Sequence, residues 1–108
     1  MRKAAVYRDE EMIGTLIEEN RSSYIFRYAD RWFADAKKPA VSLTLPKTQQ
    51  EYRSEILFPF FFNLLSEGVN RQLQSRQLKI DEADHFGLLL ATAQYDTIGA
   101  ITVKPIQE

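Results

Sequence analysis

Apolar and polar positions alternate through the first quarter of the chain in three short runs separated by polar turns. Lys3–Tyr7 is short and apolar, and Asp9-Glu10-Glu11 turns the chain. Met12–Glu18 then places Met12, Gly14 and Leu16 on one face and Ile13, Thr15 and Ile17 on the other. After the polar Glu19–Ser22, Tyr24, Phe26 and Tyr28 share a face opposite Ile25 and Arg27. A period of two predicts strands, and the short turns between them predict an antiparallel meander with one aromatic face. Asp30–Lys38 predicts one helical turn, capped by Asp30, that carries Trp32 and Phe33 inward and stops at Pro39. Val41–Leu45 alternates again and predicts a further strand up to Pro46, and polar residues 47–55 predict a loop.

The period then lengthens to that of a helix. A start near Ser54 puts Pro59 in the first turn, where its missing N–H matters least. Leu57, Phe60, Phe61, Leu64 and Leu65 then fall on one buried stripe. Phe58 and Phe62 fall off that stripe, so a second face of the helix is apolar and serves either the core or a partner. Ser66-Glu67-Gly68 breaks the pattern, with Gly68 as C-cap. Val69–Leu78 predicts a more polar helix, and Asp81 caps a third whose apolar stripe is Phe86, Leu89, Leu90 and Ala93. Gly99 turns the chain into a last strand, Ala100–Val103, ended by Pro105. The fold class predicted is α+β: an antiparallel β-meander packed with about three helices and a final strand, as one domain over residues 1–108.

Composition narrows the function classes. At 108 residues, 44% of them hydrophobic, the chain suffices for one core. A net charge of −1 gives no global field toward nucleic acid or anionic lipid. The last 28 residues carry one base and five acids, an uneven end that suits either orientation of a partner or a solvated surface. Cysteine is absent, which excludes disulfides and fits a reducing cytoplasm. Met1-Arg2-Lys3 precedes too short an apolar stretch for a signal peptide, and Ile56–Leu65 is half the roughly 20 residues a bilayer needs.

Chemistry is sparse. The four glycines are far apart, so no phosphate loop is encoded. His85 is the single histidine, with no nucleophile constellation around it, and reads as a helix-surface or semi-buried residue rather than a general base. Asp81, Glu82 and Asp84 lack the glycine and distal glutamate of a calcium loop, and helix capping accounts for them. Arg53, Arg71, Arg76 and Lys79 read as a solvated helix face rather than a phosphate-binding patch. No catalytic, cofactor-binding or metal-binding residue is predicted.

Several segments taken together resemble a known family. They are Met12-Ile13-Gly14-Thr15-Leu16, Tyr24-x-Phe26-x-Tyr28, Ser42-Leu43-Thr44-Leu45-Pro46, Pro59-Phe60-Phe61-Phe62-Asn63-Leu64-Leu65-x-Glu67-Gly68, and Gly99-Ala100. In this order, from about Ala4 to Lys104, they resemble the N-terminal subdomain of HipA-type serine/threonine kinase toxins. The family's catalytic aspartate, phosphate-binding loop and metal ligands lie beyond this subdomain. The resemblance therefore implies a stand-alone, HipS-like antitoxin of a bacterial three-part HipB–HipS–HipT system. Such a subunit binds and inhibits a HipA- or HipT-like kinase, meets a HipB-like DNA-binding protein only indirectly, and touches neither nucleic acid nor membrane itself. The other role the resemblance allows is a module that completes or stabilises the kinase fold without inhibiting it. Two departures from the family pattern are Ser66, where proline is usual, and Gln94-Tyr95 before Asp96, where a glycine-rich turn is common. The candidate partner-binding residues are Phe58 and Phe62 on the off-stripe face, Ser66, Glu67, Gly68 and Val69 after it, and Trp32 as a larger apolar anchor. The Met1 start and the polar end past Pro105 suit a complete chain.

Overall fold

The computed structural model describes residues 1–65, 68–93 and 101–106, with 68–71 by their backbone alone. Five strands, β1 (Arg2–Arg8), β2 (Glu11–Asn20), β3 (Ser23–Tyr28), β4 (Glu51–Ser54) and β5 (Ile101–Pro105), form one antiparallel sheet in the order β4-β3-β2-β1-β5. Four helices, α1 (Asp30–Ala34), α2 (Pro59–Phe62), α3 (Gly68–Leu78) and α4 (His85–Thr92), complete an α+β fold.

The predicted aromatic face is the one that builds the core. Register aligns Phe26 with Leu16 and Leu16 with Ala4, and it aligns Tyr28 with Gly14, Val6 and Val103 in the next row of the same face. All of these are buried. Phe61 of α2 packs 5.5 Å from Phe26, and Phe86 of α4 packs 6.3 Å from Tyr24, ring centre to ring centre. Between β1 and β2 the pairing steps from Val6–Gly14 to Tyr7–Met12 and leaves Ile13 as the extra residue of a bulge. Ile13 and Leu16, which strict alternation places on opposite faces, are both fully buried in the one core.

Three expectations are corrected. Val41–Leu45 is not a strand. Leu45 N–H donates to Ser42 O (3.1 Å), so the segment is a turn; Val41 and Leu45 point inward while Leu43 points out. The strand lies instead in the presumed loop. Glu51–Ser54 pairs with β3 and supplies partners to a strand edge that would otherwise be open. Pairing of 51–54 in turn delays the helix expected from Ser54. The helix starts at Pro59 with Phe58 as N-cap, and Phe61 and Phe62 both donate to Phe58 O. Leu57, Phe61 and Leu65 of its predicted stripe are buried, and Phe60 and Leu64 pack partly buried against the core.

Local caps also differ. Asp30 opens α1 without a capping bond; Ala29 is the N-cap, and Asp30 accepts from Gln50 Nε2 instead (2.6 Å). Gly68 begins α3 rather than ending the preceding helix. The expected turn at Gly99, the strand start at Ala100, Ser66-Glu67 and the Gln94-Tyr95 departure lie outside the described residues.

Two substitutions test this architecture. Phe61→Ala removes a fully buried ring from beneath β3 and should cost about 3–5 kcal/mol by chemical denaturation. Gly14→Ala places a Cβ 2.3 Å from the Arg27 carbonyl on the neighbouring strand, which the ladder has no room for. Its melting temperature should fall by several degrees, for a loss of about 1–3 kcal/mol; an unchanged melt in either variant contradicts the packing.

Candidate functional site

Burial divides the predicted partner face. Phe58 is 6% exposed and Trp32 3%, and both belong to the core. Of the two uses open to the off-stripe face, core or partner, Phe58 takes the core. The chain leaves β4, enters the interior at Leu57-Phe58, and sets the Phe58 ring edge-on to Phe61 (6.4 Å). Trp32 donates its indole N–H to Pro39 O (2.8 Å), and the Lys38 ammonium lies 5.1 Å from its ring. Phe62 is half-buried, with its ring edge-on to His85 at 4.9 Å. Gly68 and Val69 open α3, and Ser66 and Glu67 lie outside the described residues. Trp32, on α1, thus anchors a different element from the Phe62–Val69 stretch.

The polar groups that the structure does bring together were not among the candidates. Arg2 on β1 donates through Nε to Glu18 of β2 (2.8 Å) and through Nη1 and Nη2 to both Asp84 oxygens (3.0 and 2.7 Å). The Tyr24 hydroxyl donates to the other Glu18 oxygen (3.2 Å), which satisfies the one buried carboxylate of the core. Asp84, not Asp81, is the N-cap of α4 and accepts from Gly87 N–H (3.1 Å); Asp81 accepts from Ala83 N–H in the turn before it (2.9 Å). The Arg2 hydrogen bonds, aided by the Gly87 N–H, hold the Asp84 carboxyl below the usual carboxylate range against the opposing effect of burial. Asp84 reciprocally raises Arg2, and burial chiefly raises Tyr24.

Above this network lies a cleft of about 500 Å³ whose wall includes Arg21, Glu55, Ile56, Asp81 and His85. Its floor holds one guanidinium between two carboxylates, which leaves one net negative charge there. Among the described residues no group of three His, Asp or Glu side chains could hold a metal ion. The cleft's floor is the Arg2–Glu18–Asp84 ion-pair network, and the imidazole on its wall packs on the edge of Phe62. Of the cationic residues expected on one helix face, Arg71 and Arg76 lie on α3 and Arg53 does not. Arg53 lies on β4 and faces Glu19 (3.6 Å) and Glu51 (3.4 Å). No helix among the described residues is long and apolar enough to cross a membrane.

Comparison with known proteins bears on the same fold. The sequence profile of the HipA N-terminal domain matches residues 4–104. The chain belongs to the HipA N-terminal domain family. It is 31% identical over 104 residues to an uncharacterized protein of Haemophilus influenzae, covering 96% of this chain and 92% of that one. It is 27% identical over 100 residues to the putative kinase Y4mE of Sinorhizobium fredii and 31% identical over 101 residues to the putative kinase Y4dM of the same organism. The chain spans 24% of the length of each putative kinase. A solved structure described as the N-terminal domain of HipA toxin superposes with a TM-score of 0.75 at 26% identity, covering all of this chain and 95% of that one.

Within this HipA N-terminal domain the Arg2 network ties the N-terminus of α4 to the sheet, beside the packing of Phe86 on Tyr24. Gly87 lets the helix approach this pair closely, since a Cβ on it would stand 2.4 Å from Asp84 Oδ2 and 3.1 Å from Arg2 Nη1 and would force those side chains to shift. The sign of the pH dependence follows. A carboxyl depressed in the folded state contributes stability that is full above its unfolded value, about 4, and is lost as pH falls through the lower folded value. Asp84→Asn keeps a capping oxygen but removes the charge, so it should destabilise by about 1 kcal/mol at pH 7, a modest figure because Arg2 is partly solvated. Melting curves should show the gap between parent and variant closing below about pH 4; a gap independent of pH would detach Asp84 from the ion pair.

Proposed function

We propose that this chain is a non-catalytic antitoxin that binds a HipA-type serine/threonine kinase in the cytoplasm and holds it inactive. The observation that carries this reading is coverage. The HipA N-terminal domain accounts for residues 4–104, while about three-quarters of each related putative kinase lies outside the matched segment. The Haemophilus influenzae relative consists of little beyond this domain, with 92% of it covered, and a separate copy of a domain that makes up about a quarter of a putative kinase would be suited to occupy the surface that the fused copy occupies. Phe62, only partly buried beside His85, and the chain at Gly68–Val69 where α3 begins are the parts of the candidate contact on which this reading rests. A HipB-like DNA-binding protein would join such a complex through the kinase.

A second reading has the same support. Because the domain forms part of one chain in Y4mE and Y4dM, a separate copy could complete the kinase fold and raise its activity. Co-expression with the HipA-type kinase of the same genome separates the two. Inhibition predicts restored growth, and addition of the purified chain at equimolar ratio should suppress autophosphorylation. Completion predicts the opposite change in both. Absence of any complex in size-exclusion chromatography would refute both readings.

A further inference from the structure

β4 is the last strand on its side of the sheet, and its pairing with β3 fixes which of its backbone groups point outward. Tyr28 N–H donates to Gln50 O (2.9 Å), so Gln50 and every second residue after it turn their polar groups toward β3. Tyr52 and Ser54 are thus bonded to the sheet, opposite Phe26 and Tyr24, while Glu51 and Arg53 direct their N–H and C=O groups away from it. Glu51 O accepts from Gln49 Nε2 (2.7 Å). Among the described residues no strand or loop takes up the Glu51 N–H or the Arg53 N–H and C=O. The other edge of the sheet is different. There the outward Val103 N–H donates to Ala93 O (3.0 Å), and β5 ends on Pro105, which has no N–H to offer.

An open edge is a template for another strand, and charged side chains ordinarily guard it. They do so where like charge meets like. On β4 the signs are opposite on the two sides of Tyr52, with Glu51 before it and Arg53 after it. A two-fold axis at Tyr52 sets a second β4 antiparallel to the first, so that Glu51 of each copy lies opposite Arg53 of the other. These are also the residues whose backbone groups point outward, so each Glu51–Arg53 pair exchanges two N–H···O=C bonds. No neighbouring register does this. A slip of one residue sets outward backbone groups against inward ones. A slip of two sets Glu51 against Glu51 or Arg53 against Arg53. The contacts that these side chains already make do not tie them up. Arg53 lies 3.6 Å from Glu19 and 3.4 Å from Glu51 with its side chain 65% exposed, and Glu51 lies 4.0 Å from Arg27. Such long, solvated pairs hold little energy, and a guanidinium with five donors keeps several for a facing carboxylate.

We propose that the outer edge of β4 binds a second copy of this chain, joining the two sheets antiparallel about a two-fold axis at Tyr52. The inference is independent of the kinase partnership. A four-residue strand makes a small contact, so the dimer should be reversible and concentration-dependent. Sedimentation velocity on the full chain, at concentrations up to about 1 mM, should show it. Glu51→Arg makes the edge wholly basic and Arg53→Glu makes it wholly acidic. Each variant should melt close to the parent and sediment as a monomer, and an equimolar mixture of the two should dimerise again. Recovery on mixing is what a merely structural role for these side chains would not give. Cross-linking supplies a check that needs neither variant. The chain has no cysteine, and strand pairing brings the two Tyr52 Cα atoms within disulfide reach. Tyr52→Cys should therefore oxidise to a covalent dimer at least about tenfold faster than Leu43→Cys, whose site is 99% exposed and lies outside the strand. A parent that stays monomeric throughout the concentration series overturns the proposal. So do folded charge variants that dimerise alone like the parent, a mixture that fails to recover the dimer, or equal oxidation rates at the two cysteines. Loss of kinase binding in both charge variants, with a monomeric parent, assigns the edge to the kinase and overturns it equally.

Discussion

Tyr24, Phe26 and Tyr28 project from one strand at a spacing of two residues, and each ring fixes a different part of the molecule. Phe26 is the surface on which α2 rests through Phe61. Tyr24 packs on Phe86 of α4 and at the same time satisfies Glu18 with its hydroxyl. Tyr28 stands 4.9 Å from Phe26 and uses its hydroxyl twice to set the path of the Val41–Pro46 loop. The strand's periodicity thus becomes a placement rule for the helices and the loop. A one-residue slip of β3 would send all three rings to the other face and release every element they hold.

Arg2 performs the complementary task with charge. It joins residues 82 positions apart in sequence, linking the first strand to the N-terminus of α4. Arg2 gives Glu18 a cationic partner and the Tyr24 hydroxyl gives its other oxygen a donor, which is the condition for tolerating Glu18 in the core. Backbone geometry makes room for it, since the site opposite the Asp84 carboxylate is a glycine.

How far the sequence discloses this depends on the range of the interactions. The meander and its aromatic face were legible because alternation is a local signal, and so was the buried stripe of Leu57, Phe61 and Leu65. β4 was hidden. Glu51, Tyr52, Arg53 and Ser54 carry the charged composition of an edge strand, and only the unsatisfied edge of β3 calls them into the sheet. Val41–Leu45 misled in the opposite sense, because two anchors four residues apart in a turn mimic strand alternation when a third leucine points to solvent. The Asp84 cap lost to Asp81 on local grounds alone, since what selects Asp84 is an arginine at the other end of the chain. For the candidate site, the inward placement of Trp32 was legible beside its promise as an anchor, while Phe58 left core and partner open until packing assigned it to the core.

The sheet order carries a consequence for how the chain comes together. β2 and β3 assemble by adjacent hairpins, but β1 acquires its second neighbour only from β5, with Val6 aligned to Val103 and Lys3 O accepting from Ile106 N–H (3.0 Å). During synthesis about a hundred residues separate the making of the first strand from the making of its partner. Throughout that interval one edge of β1 offers unpaired backbone groups to any extended chain nearby. Closure by so distant a contact is slow, so the nascent domain is most open to mispairing just before its last strand leaves the ribosome.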